Sequence, residues 1–83
     1  MLHARKDYDC IQDPSGKIGE DEPVFLLRAT DMFAPAVLRE WARLVGRIDR
    51  PLAEHVRKHA KRMEEWQDNN KHKHPDTPRE VRV

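Results

Sequence analysis

Eighty-three residues make one small domain, and with hydrophobic and charged residues each at 37% the chain has little apolar surface to bury, so support from a partner subunit is expected. Sixteen Lys and Arg against fifteen Asp and Glu leave a net charge of +1, which excludes reading nucleic-acid or membrane binding from bulk charge; a basic site has to come from local clustering. One cysteine, Cys10, excludes an internal disulfide framework, the opening "MLHARKDYDC" lacks the apolar stretch of a signal peptide, and no apolar run approaches the ~20 residues of a membrane span, so a cytoplasmic location is expected.

Residues 1–22 are polar and punctuated by "DPSGKIGEDEP", which predicts an arm with a turn at Asp13-Pro14-Ser15-Gly16 and with Tyr8, Ile11 and Ile18 as its anchors. "PVFLLRA", Pro23 to Ala29, is a short apolar run bounded by Pro and a Thr-Asp pair and predicts a short strand or extended segment. From about Pro35, Val37, Trp41, Leu44 and Ile48 recur at spacings of four, three and four and form one helical stripe. Thr30 and Asp31 are placed to accept from the free amides at its start, and Pro35 suits a first turn. Gly46 closes this helix with Ile48 folding back on it, and Asp49 caps a second helix that carries Pro51 in its first turn and runs to about Gln67.

In the second helix Leu52, Val56, His59, Met63 and Trp66 follow a seam of period 3.5. The short connection makes the two helices antiparallel, which sets Trp41 near His59. The expected fold is mostly α: an antiparallel helical hairpin with an N-terminal extended arm and one short strand. Its zones are 1–22, 23–67 and a disordered tail at 68–83, where "DNNKHKHPDTPREVRV" has no periodicity. Incomplete cover over Trp41, Met63 and Trp66 implies a homodimer of hairpins.

Arg28 ends the apolar segment beside a helix N-terminus, a geometry that favours phosphate or carboxylate. The antiparallel pairing brings Arg62 and Trp66 to the same end, so Arg28, Asp31, Arg62 and Trp66 form the candidate ligand-binding set, with a nucleotide base stacking on the indole while the arginines hold its phosphates. The competing reading makes Arg28 a clip, ion-paired to Asp31, Glu22 or a glutamate of the second helix. A basic face of Arg39, Arg43, Arg57, Lys58 and Lys61 is the candidate surface for an anion or nucleic acid, or else a solvated face interleaved with glutamates. His55 and His59 lie one helical turn apart but lack a third ligand at a recognised spacing, so neither a metal nor another cofactor is expected. No acid, base and nucleophile set is visible, so no enzymatic activity is expected.

The ordered set "IQDPSGKIGEDEPVFLLRATD", "AP", "WA" and "HAKRMEEWQ" resembles a group of small proteins encoded by tailed phages and prophages, over roughly Asp7 to Gln67 and most specifically at "DEPVFLLRATD". The chain departs from that pattern at "GRIDRP", where Gly and Asp followed directly by Pro is expected. The resemblance implies a small non-enzymatic phage binding protein acting inside an infected bacterium, antagonising host defence by sequestering a nucleotide signal or blocking a host component. The alternative is a phage accessory or regulatory factor that touches nucleic acid through its basic face.

Overall fold

Two helices account for nearly half of the residues described in the computed structural model, which describes residues 1–8, 10, 11 and 13–70. Helix α1 spans Ala34–Val45 and α2 spans Arg50–Asn69; before them come β1 (Leu2–His3), a 3₁₀ turn at Lys6–Tyr8 and β2 (Pro23–Val24). Helix α2 therefore extends two residues into the stretch expected to be a tail, and the expectation of disorder beyond residue 70 lies outside the described residues.

The inter-helix turn follows its local chemistry. Asp49 is extended, and its Oδ1 accepts from the Leu52 amide at 3.1 Å, satisfying one of the free donors of the first turn of α2. Pro51 sits in that turn, where a missing N–H costs nothing. Gly46 closes α1 with right-handed backbone, φ −61°. A Cβ there would lie 3.1 Å from the Ala42 carbonyl oxygen and 3.4 Å from the Ala53 Cβ, so glycine lets the end of α1 pass close to the start of α2. Ile48 does not fold back: it is 88% exposed, because the turn carries it away from both helices.

Gly46 against Ala53, Arg39 against Glu64 and residues 29–31 against Gln67 fix the hairpin as antiparallel. Its inner seam is shifted by one residue from the expected stripe on α1, while on α2 Val56 and Met63 face inward as expected and the other three expected positions give way to their C-terminal neighbours. On α1 the inward positions are Ala34, Leu38, Ala42 and Val45; on α2 they are Ala53, Val56, Ala60, Met63 and Gln67. Ala34, Ala42 and Ala60 are fully buried, whereas Val37, Trp41 and Leu44 remain 47%, 48% and 49% exposed. Methyl-sized side chains let two helices approach closely, so alanines occupy the line of contact and the large apolar residues are turned to the adjacent face. Leu52, His59 and Trp66, expected in the seam, likewise lie outside it.

The arm is tied down by backbone pairing. The Leu2 amide donates to the Glu22 carbonyl at 2.8 Å and the Ala4 amide to the Val24 carbonyl at 3.0 Å, pairing β1 and β2 in parallel. The expected strand over 23–29 is thus confined to Pro23–Val24, paired with a second short strand, Leu2–His3, in the arm; β2 ends at Val24 because its partner leaves the ladder after Ala4 for the 3₁₀ turn. The predicted turn forms at Asp13–Gly16, with the Gly16 amide donating to the Asp13 carbonyl at 3.1 Å and Gly16 at φ +67°, left-handed backbone that glycine adopts without strain. Of the three expected anchors only Tyr8 is buried; Ile18 is half-buried and Ile11 exposed.

Candidate functional site at the junction of arm and hairpin

Four backbone residues, 27–30, run from the arm toward α1 and lie along the last two turns of α2. Gln67 holds them there: its Nε2 donates to the carbonyls of Ala29 and Asp31, 3.0 Å each. The Asp31 carboxylate is used locally, accepting from the Phe33 amide at 2.8 Å. It tightens the turn before α1 and does not cap the helix itself; Phe33 is the residue at the cap position, and no side chain bonds there. Thr30 makes no cap either, since its Oγ1 is buried without a hydrogen-bond partner.

Between this segment and α2 lies an open groove of ≈ 460 Å³ whose walls include Arg28, Thr30, His59, Arg62 and Trp66, floored by Leu27, Ala29 and Met63. Three of the four residues expected to form a ligand site, Arg28, Arg62 and Trp66, therefore line one groove. Asp31 stands outside it with its carboxylate engaged. His59 and Thr30 were missed. His59 is three residues before Arg62 and four before Met63, so helical spacing puts it beside them; nothing in the sequence around Thr30 distinguishes its hydroxyl from a cap.

Arg28 makes no ion pair among the described residues, and neither Asp31 nor Glu22 is its partner: Glu22 accepts from the Gly19 amide. Its guanidinium lies 5.8 Å from the centroid of the buried Tyr8 ring, with the Arg5 guanidinium 4.7 Å from the same ring. Arg28 thus touches the arm through an aromatic face and keeps its donors for the groove. Arg62 also lacks a carboxylate partner among the described residues.

The basic helix face is different. Arg39 binds Glu64 across the hairpin through two bonds of 2.6 and 2.7 Å, Arg43 pairs with Glu40, and Arg57 pairs with Glu54 at 2.9 Å. The hydrogen bonds from Arg39 and Arg43 hold the Glu64 and Glu40 carboxyls below their usual range. Of the five residues expected on that face, Lys58 and Lys61 alone carry no ion pair among the described residues.

A second groove, ≈ 380 Å³, is lined by Leu27, Val37, Leu38, Trp41, His55, Val56 and His59. It confirms the expected nearness of Trp41 and His59 and is almost wholly apolar. His55 and His59 both border it, and among the described residues no group of three or more His, Cys, Asp or Glu is placed to hold a metal ion. None of the described helices is long and apolar enough to cross a membrane. Compared with protein-family models, curated proteins and solved structures, the chain matches none.

Proposed function

We propose that this chain is a small non-enzymatic binding protein that takes a nucleotide-type ligand, an anion bearing a planar ring, in the groove between residues 27–30 and the end of α2. The observation that carries this reading is the pair Arg28 and Arg62 in one groove without a carboxylate between them among the described residues, beside an indole that is 37% exposed. Two guanidinium groups sharing a groove repel one another until an anion lies between them, and each then supplies charge-assisted bonds of fixed geometry. The Trp66 ring offers a face for a base. Thr30 Oγ1, unsatisfied where it stands, gains a partner by turning toward the ligand.

In the phage setting that the "DEPVFLLRATD" resemblance implies, capture of a host nucleotide signal, or occupation of a host component, is how such a protein antagonises defence. Contact with nucleic acid through the helix face has less behind it, because Arg39, Arg43 and Arg57 are already paired with glutamates.

The test is titration of ADP, a cyclic dinucleotide and inorganic phosphate into the full chain in a Trp41→Phe background, reading Trp66 fluorescence and heat. A nucleotide should quench Trp66 and bind more tightly than phosphate, and Arg62→Ala should weaken it roughly tenfold or more, the worth of one charge-assisted bond. No response to either nucleotide, or an affinity in the Arg28→Ala and Arg62→Ala variants unchanged from that of the Trp41→Phe parent, removes the proposal.

A further inference from the structure

We infer that the outer face of the hairpin, carrying Val37, Trp41 and Leu44 of α1 with Leu52 of α2, is covered by a second copy of this chain. The seam inside the hairpin holds alanines, and no large side chain is fully buried anywhere among the described residues. Small domains with so thin a core are held by disulfides, a structural metal or association. The chain has one cysteine and so no internal disulfide, and association is one of the supports left to it. A cover needed for the fold has to be present whenever the chain is, and another copy of the chain is the one molecule that always is.

The area agrees. With Val37, Trp41, Leu44 and Leu52 at 47%, 48%, 49% and 37% exposure, the face shows on the order of 400 Å² of apolar side chain, the size of patch that on monomers is often functional. It approaches the apolar part of the ~800 Å² that each partner contributes to a standard dimer interface. The rim on α1 suits self-association as well: the paired Glu40 and Arg43 place both signs on the helix that carries most of the face, so a two-fold pairing sets no block of like charge from α1 against itself. Two hairpins joined in this way form a four-helix arrangement with Trp41 at its centre.

The test uses the full chain with reductant present, since Cys10 is exposed and could otherwise link copies. Light scattering at micromolar concentration should give twice the chain mass, and the melting temperature should rise with protein concentration. Trp41→Glu should abolish the dimer, while Leu2→Glu, an equally drastic change at an exposed apolar residue away from the face, should leave it intact. A monomer mass, a melting temperature independent of concentration, or a Trp41→Glu variant that stays dimeric each overturns the inference. The first two readings need no variant and so stand even if Trp41→Glu does not fold.

Discussion

The hairpin and the arm are held by different physics. Between α1 and α2 the contact is continuous: buried alanines and Met63 along the seam, a two-pronged Arg39–Glu64 bridge across it, and a cap and a glycine at the turn. Along residues 1–30 the contacts are mostly polar and separate: two strands of two residues, the N-terminal ammonium on the Gly19 and Glu20 carbonyls, an Arg5–Asp7 ion pair, one buried ring at Tyr8, a turn around Asp13 and the Gln67 tether. Packing gives the hairpin its rigidity; the arm has hydrogen bonds and one aromatic. The groove with Arg28 and Arg62 lies where the two regimes meet: His59, Arg62, Met63 and Trp66 come from the hairpin, and residues 27–30 from the looser part.

Several substitutions sharpen or break that contrast, and the largest effect is expected at Met63, the one sizeable buried side chain of the seam. Met63→Ala should cost about 2–5 kcal/mol in denaturant unfolding followed by helical circular dichroism. A loss below 1 kcal/mol would mean the seam is not what holds the hairpin. Next comes Ala60→Leu, which forces extra volume into the closest contact and should cost about 1–3 kcal/mol. If it were neutral, the helices would have room that the buried alanines say they lack.

Smaller effects belong to the arm. Gln67→Ala removes two bonds to the Ala29 and Asp31 carbonyls and should cost about 0.5–1.5 kcal/mol. It should also speed amide exchange at residues 28–33 more than along α2; uniform acceleration would show that arm and hairpin open together.

The smallest effect is acid-dependent. The Ser15 hydroxyl and then the Ile18 amide hold the Asp13 carboxyl below its ordinary value of 3.8. A carboxyl depressed in the folded state contributes fully above its ordinary value, and that contribution is lost as the pH falls through the folded one. The Asp13 turn should therefore be unchanged from pH 7 to 5 and loosen below about pH 4, read from the Ser15 and Ile18 amide shifts, with little change in helical content. Loss of helix over the same interval would contradict the separation of the two regions.

The turn between the helices was legible because it rests on single residues with strong preferences: Asp49, Pro51 and Gly46 stand where their chemistry requires, whereas the expected caps of α1, Thr30 and Asp31, do not cap it. The seam was misplaced by one residue along α1 and at three of its five positions on α2, Val56 and Met63 excepted, for one reason. Hydrophobic periodicity gives weight to large side chains, so Trp41 and Leu44 outvoted Ala42, and Leu52 and His59 outvoted Ala53 and Ala60; close helix contact selects the small ones. At the site, Arg28, Arg62 and Trp66 could be grouped because antiparallel pairing alone brings the beginning of α1 to the end of α2. Asp31 could not be excluded, since an Asp three residues from an Arg reads equally as a partner or as a turn former. Tyr8 beneath Arg28 was illegible because the path of the arm follows no period.

The Gln67 tether also bears on the order of assembly. It joins positions 38 and 36 residues apart in the chain, whereas the α1–α2 turn joins neighbours, and closing a longer loop costs more chain entropy before any contact repays it. The hairpin can therefore zip from its turn outward while the arm is still free, and the tether is made only once the end of α2 has arrived. It follows that the groove is completed late in folding and is the first feature to be undone by a local opening. Its occupancy can then be governed by a fluctuation that never disturbs the helices.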